Sequence, residues 1–253
     1  MQDLIWPAAM AFAMLSTGAP RGAEITLIAP GGIRTALQRL IPRFEAERGH
    51  KVAASFMAGA ATKAKIAAGE FVDVPVVQPP FDAVTRSGHV RRDSETPLAT
   101  VSVVAAVAAT APEAEIATPE GLKRVLVAAR SIACPSVERG AACGVNFWST
   151  VEKLGIGETI KPKLVAAPTG WESIKMLARG EVELGITFAS EMDPDPRVRL
   201  LGPLARAVST PTGFVAFIHR ETKAPEAAAA FIRFLASSDA AAVFRDCGMN
   251  PGK

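Results

Sequence analysis

Apolar residues in this chain gather into short runs that alternate with stretches of helical spacing. Ile25 to Ala29 is one such run. Pro30-Gly31-Gly32 closes it, and Leu37, Leu40, Ile41 and Phe44 then recur at helical intervals. That pattern predicts a strand, a tight glycine turn and a helix over about 33–48. The device repeats. Lys51–Phe56 reads as a strand, Met57–Thr62 as a small-residue turn, and Lys63–Ala68 as a short helix ended by Gly69. Asp73–Val77 reads as a third strand, broken by Pro79-Pro80 and followed by a short helix from Phe81 to Ser87.

Leu98–Ala109 is a longer extended run, suited to a strand that leaves one lobe for another. Thr118-Pro119-Glu120-Gly121 starts a helix: threonine can cap it, proline fits its first position, and glutamate suits its positive end. A second series follows: strand Ser131–Cys134, loop Pro135–Cys143, helix Gly144–Leu154, strand Lys163–Ala167, turn Pro168-Thr169-Gly170, helix Trp171–Ala178 and strand Glu183–Phe188. Val198–Leu201 and Ser209–His219 are extended, and the second can return the chain to the first lobe. Two helices end the chain, Ala224 through Leu235 and Ser237 through about Cys247.

Strands alternating with helices predict an α/β fold of two lobes. Each lobe is expected to be a mostly parallel sheet flanked by helices. Two crossing strands join them, with residues 24–100 and 208–253 in lobe 1 and 101–207 in lobe 2. Ligands of such sheets bind at the carboxyl ends of the strands. A helix entered through a glycine turn leaves backbone N–H groups pointing at open space, which suits an anion.

Met1 to Ala23 differs in kind. Leu4–Leu15 is almost wholly apolar and has the length of a signal-peptide core, too short to span a bilayer. Asp3 in place of a basic residue, and Arg21 near the cleavage region, make it an atypical leader. The remainder holds no second long apolar run.

Composition narrows the function. Of 253 residues 49% are hydrophobic and 21% charged, with a net charge of +3 and no basic run, so nucleic acid is not a suggested partner. Tyrosine is absent, which argues against an aromatic-rich binding face. Cys134, Cys143 and Cys247 form no Cys-x-x-Cys pair, and His50, His89 and His219 match no metal spacing. Cys134 and Cys143 can pair in an oxidising compartment or serve as small buried apolar residues. No metal or cofactor is implied, and Asp73 is placed for a structural role rather than as a catalytic base.

Several segments, taken in order, resemble the molybdate-binding-protein-like branch of the periplasmic solute-binding proteins. They are Leu27–Leu37, Pro42–Val52, Ala68–Val74, Val151–Gly155, Ala178–Ile186, Ala230–Ser237 and Phe244–Gly248. The resemblance implies a type II periplasmic-binding fold, a small anion held between the lobes, a membrane permease of an ABC importer as partner, a periplasmic location and a monomer. Such proteins hold a dehydrated oxyanion with hydroxyls and backbone amides. Here Gly32 stands where the first ligand serine is expected, and Ala58-Gly59-Ala60-Ala61 where the second is. Two side-chain donors are missing, and a desolvated oxyanion needs most of its acceptors satisfied. An organic carboxylate is therefore favoured over molybdate.

The candidate ligand residues are Gly31, Gly32, Ala60, Thr62, Gln78, Arg139, Gly144, Val145, Thr169 and Ser190. Gly31 and Gly32 allow close backbone approach. Thr62 either replaces a missing hydroxyl or caps the helix at Lys63. Gln78 brings an amide past the third strand, and Arg139 can grip a carboxylate in bidentate fashion or be a solvated loop charge. Gly144 and Val145 offer amides at a helix start. Thr169 occupies the corresponding turn two strands on, and Ser190 follows the strand after which related proteins place a contact. The rival reading is an aconitate-isomerase-like enzyme on the same scaffold, with Glu138, Cys143 and the histidines as the available proton carriers. A stand-alone ligand sensor is a third.

Overall fold

The computed structural model describes residues 22–252. All but the last two residues of the expected leader lie outside that range. Two sheets organise the chain. The first is built from β1 (Glu24–Pro30), β2 (Lys51–Met57), β3 (Val74–Val77), β4 (Val90–Val101), β10 (Thr212–His219) and β11 (Met249–Pro251), in the order β11-β4-β10-β3-β1-β2. The second is built from β5 (Val103–Ala108), β6 (Ile132–Pro135), β7 (Leu164–Ala167), β8 (Leu184–Phe188) and β9 (Val198–Pro203), in the order β7-β6-β8-β5-β9. Helices α1 (Arg34–Arg48), α2 (Gly59–Ala67), α3 (Asp82–Arg86), α8 (Pro225–Leu235) and α9 (Ser238–Asp246) accompany the first sheet. With the second go α4 (Pro119–Ala128), α5 (Ala142–Lys153), α6 (Gly157–Ile160) and α7 (Gly170–Ala178).

Both sheets are mixed rather than mostly parallel. β1 runs parallel to β2 and β3, and β6 runs parallel to β7 and β8. The remaining pairs are antiparallel, because β4, β5, β9 and β10 carry the chain between the sheets and β11 closes it. The run predicted over Leu98–Ala109 is two strands: β4 ends at Val101, Ser102 intervenes, and β5 begins in the other sheet at Val103. The other crossing is from β9 to β10.

The apolar face predicted for α1 is the one it buries. Ala36, Leu37, Leu40 and Phe44 are sealed, and the Phe44 ring lies 4.9 Å from that of Phe231 and 5.5 Å from that of Phe234 on α8. Each fully buried side chain of this size contributes roughly 1.5–3 kcal/mol. Thr118 caps α4 as expected, accepting from the Gly121 amide at 3.1 Å. Asp73 has the structural role expected of it. Its Oδ2 accepts from the Thr26 amide (2.8 Å) and hydroxyl (2.7 Å), and its Oδ1 from the Thr222 hydroxyl (2.6 Å). Burial pushes this carboxyl up, but the bonds from Thr222 and Thr26 outweigh it and hold it below its ordinary range. The clamp ties the start of β3 to β1 and so sets where β3 delivers Gln78. The three cysteines are buried free thiols, so Cys134 and Cys143 are not paired. His219 is sealed at the end of β10, where its Nδ1 accepts from the Glu221 amide at 3.2 Å.

Candidate functional site

The parallel halves of the two sheets, β3-β1-β2 and β7-β6-β8, point their carboxyl ends at a common cleft of about 190 Å³. Four helix starts reach it. Gly31 and Gly32 precede α1, Ala58 and Gly59 open α2, Ala142 and Cys143 open α5, and Gly170 and Trp171 open α7. The first turn of any helix carries N–H groups without intrahelical partners. Three of these four starts are bare. α1, α2 and α5 have no side-chain cap and no acidic residue in the first turn. Every other described α-helix carries an acid there: Asp82, Glu120, Glu158, Glu172, Glu226 or Asp239. An apolar N-cap forgoes about 1 kcal/mol relative to Ser, Thr, Asn or Asp. The three helix ends left positive and unsatisfied all face the cleft; the fourth start there, α7, is capped by Thr169 and carries Glu172.

Two side chains add polar groups with no protein partner. Gln78 follows β3, is 2% exposed, and neither its Nε2 nor its Oε1 is hydrogen-bonded. Gly59 makes room for it, since a methyl group there would strike the amide oxygen. Arg34 begins α1, and its buried Nε is also unpaired. Its guanidinium lies over Phe56 (5.2 Å) and Trp171 (5.9 Å), so aromatic faces from both sides of the cleft hold the plane of the fork.

One acid belongs to the same cavity. Glu191 closes a short 3-10 turn after β8 and is 7% exposed. Burial raises its carboxyl to about 7, against the opposing pull of the Phe188 backbone, the Arg34 charge and the neighbouring Thr187 hydroxyl. That hydroxyl faces the carboxyl without completing a hydrogen bond of its own. Gly170 leaves space for both, where a methyl group would collide with each. The Cys143 thiol also lines the cleft; burial, with Cys134 and Glu191 nearby, pushes it far above its ordinary value and keeps it neutral.

Of the residues singled out in the sequence, Gly31, Gly32, Gln78 and Thr169 line the cleft. Thr169 also caps α7, accepting from the Glu172 amide at 3.2 Å. Ala60 and Val145 line an adjoining cavity of about 300 Å³ that shares Gly59, Gln78 and Ala142 with the first. The Val145 amide is spent inside α5, donating to the Ala141 carbonyl at 2.9 Å. Gly144 packs against the Pro135 carbonyl. Val145 is therefore no cleft donor, because α5 starts two residues before the predicted boundary and presents Ala142 and Cys143; Gly144 stands in the first turn of α5 but outside the cleft lining. Thr62 is neither a cleft hydroxyl nor a cap. α2 starts at Gly59, so Thr62 is sealed inside the helix and donates back to the Ala58 carbonyl at 3.2 Å. Arg139 is exposed on its loop, away from the cleft lining. Ser190 turns its hydroxyl to the Gly32 carbonyl (2.6 Å), and Thr35 donates to the Ser190 carbonyl (3.4 Å), which latches the end of β8 onto the turn before α1.

Sequence reasoning misses Arg34, Trp171 and Glu191. Arg34 is legible in principle: a cation at a helix N-terminus opposes the helix dipole, a misfit that points to a ligand or a partner. Glu191 sits in a stretch with two other acids nearby, Asp193 and Asp195, and nothing local marks it as the buried one. Among the described residues no group of three His, Cys, Asp or Glu is placed to hold a metal.

Two facing sets of strand ends around a cleft lined by bare helix starts define a two-lobed α/β binding protein. Residues 25–250 match the bacterial extracellular solute-binding protein family, and the chain belongs to that family. It is 28% identical over 234 residues to an aconitate isomerase from Pseudomonas sp., covering 90% of this chain and 87% of the relative. It is 24% identical over 200 residues to the molybdate-binding protein ModA of Escherichia coli (strain K12), covering 75% and 74%. The fold is that of the periplasmic molybdate-binding protein of Azotobacter vinelandii, with a TM-score of 0.72 and 18% identity over 90% of this chain and 100% of that one.

Proposed function

We propose that this protein is the periplasmic receptor of an ABC importer, acting as a monomer that captures a small organic carboxylate and hands it to a membrane permease. The observation that carries this is the set of three bare helix starts, α1, α2 and α5, converging on a cleft that also holds the unpaired Gln78 amide. Backbone amides at helix ends stabilise negative charge without a counter-ion. A carboxylate is favoured over molybdate because Gly32 and the Ala58–Ala61 segment bring no hydroxyl to the cleft, and because the planar Arg34 fork suits a planar anion. Closure of the two lobes over the ligand supplies the signal read by the permease.

Thermal-shift measurements with di- and tricarboxylates, molybdate, tungstate and sulfate test the reading. A ligand at a hundred times its Kd stabilises the native state by about 2.7 kcal/mol. Carboxylates raise the melting temperature, and Gln78→Met abolishes that rise while leaving the ligand-free protein as stable or more so. A rise with molybdate alone overturns the proposal. A second reading, an isomerase acting on a tricarboxylate, has a specific observation in its favour: Glu191 provides the buried acid in the cleft that proton transfer requires. Proton NMR of trans-aconitate incubated with the protein decides it, since a receptor leaves the spectrum unchanged.

A further inference from the structure

The cleft read as an anion site already contains an acid of its own. Among its lining residues Arg34 is the cation and Glu191 the acid. The Glu191 carboxyl is built into the anion site rather than set beside it. Its Oε1 lies 3.7 Å from where a Cβ on Gly31 would stand, at the start of α1, and its Oε2 lies against Gly170, at the start of α7. The carboxyl thus sits beside the entries to two of the four helices that reach the cleft.

The groups around Glu191 show how little is left to balance a second negative charge. Arg34 faces it from α1 and the neutral Cys143 thiol from α5. On its other side a small cavity is lined by Lys175 from α7 and by Asp193 and Asp195 from the loop that follows, two acids against one base. Arg34 can offset one carboxylate. A ligand carboxylate set directly against Glu191 makes two in a cavity of about 190 Å³, and carboxylates in contact do not both stay ionised.

We propose that one proton is held between Glu191 and the bound anion, so that the cleft prefers ligands that bring an O–H to it. This rests on the reading of the cleft as a carboxylate site and specifies its ligand class: carboxylates with a hydroxyl beside the charge, over hydroxyl-free carboxylates and fully deprotonated oxyanions. A ligand hydroxyl set against ionised Glu191 donates to it while the ligand carboxylate lies at Arg34, so the two carboxylates do not meet and no proton is taken from solvent. A ligand without one binds only when the carboxyl itself takes a proton from solvent and donates it.

Isothermal titration calorimetry with malate and succinate, a pair differing by one hydroxyl, tests this from about pH 6 to about pH 8.5, either side of the Glu191 value. Repeating it in buffers of different ionisation enthalpy counts the protons taken up. The wild-type protein takes up close to one proton per succinate above pH 7, where Glu191 is otherwise ionised, and succinate affinity falls up to about tenfold per pH unit. Malate shows a shallower slope and the smaller proton count. In E191Q the amide donates without titrating, so the slope for succinate flattens and the preference for malate shrinks or reverses. The wild-type proton count needs no variant and stands even if E191Q folds poorly. Carboxylate binding with no proton uptake, or with the same slope in wild type and E191Q, overturns the inference and leaves the carboxylate reading intact. Failure of every carboxylate to bind overturns both.

Discussion

Gly32 stands where relatives lead one to expect a serine, and the structure supplies a reason beyond chemistry. A Cβ at this position would lie 2.9 Å and 3.2 Å from two atoms of the Phe188 ring and 3.1 Å from the Phe214 ring. Phe188 comes from β8 and Phe214 from β10, and both are sealed in the core, so neither is a loose end that can swing aside. Installing the serine by Gly32→Ser therefore overpacks the seam between the lobes. Overpacking of this kind costs about 1–3 kcal/mol. For a chain of this size each kcal/mol lowers the melting temperature by about 2–4 °C, giving an expected fall of about 2–12 °C. Urea unfolding of wild type, G32S, F188L and the double variant measures the collision itself. If the ring is the obstacle, G32S costs less in the F188L background than in the wild type by about 1 kcal/mol or more. A G32S protein that melts with the wild type, or whose cost is the same with and without F188L, refutes the argument.

Two further outcomes follow from buried polar groups. Asp73→Asn turns an acceptor into a donor facing Thr26 or Thr222, a loss of about 1–3 kcal/mol by urea unfolding at neutral pH. Because the folded carboxyl titrates below its ordinary value, its contribution is complete above the unfolded value of about 3.9 and is lost as pH falls through the lower folded value. The wild-type melting temperature therefore loses an increment on acidification that D73N lacks, and coincident pH profiles would sink the assignment. Arg34→Lys keeps the charge but not the plane stacked over Phe56 and Trp171, so carboxylate affinity by calorimetry falls about tenfold or more; wild-type affinity in R34K would show that charge alone suffices.

Much of the architecture is legible in the sequence because it rests on period and punctuation. The strand–turn–helix series, the cap at Thr118 and the apolar stripe of α1 are local, and each is found within a few residues of its expected place. What sequence reasoning gets wrong is also local in origin. Met57–Thr62 and Pro135–Cys143 are rich in small residues with no recognisable cap, so the pattern starts α2 and α5 four and two residues late. Those shifts misassign the amide of Val145 and the role of Thr62. Glu191 and Trp171 meet Arg34 only when the ends of β8 and α7 are brought beside α1, and no single window of sequence contains that meeting.

The late starts of α2 and α5 have one cause. Helix prediction looks for caps and first-turn acids because most helices must satisfy their own first turn. A helix that serves an anion does the reverse, since a cap or an acid would occupy the site or repel the ligand. α4 and α9 are capped, carry Glu120 and Asp239, and so satisfy their first turns from within. α1, α2 and α5 are uncapped, carry no acid, and in α1 the first residue is Arg34. The weakest helix starts by ordinary criteria thus all open on the cleft, beside the capped start of α7. Glu191 is consistent with this, because it restores one negative charge to the cleft from outside the helices, where a proton can switch it off.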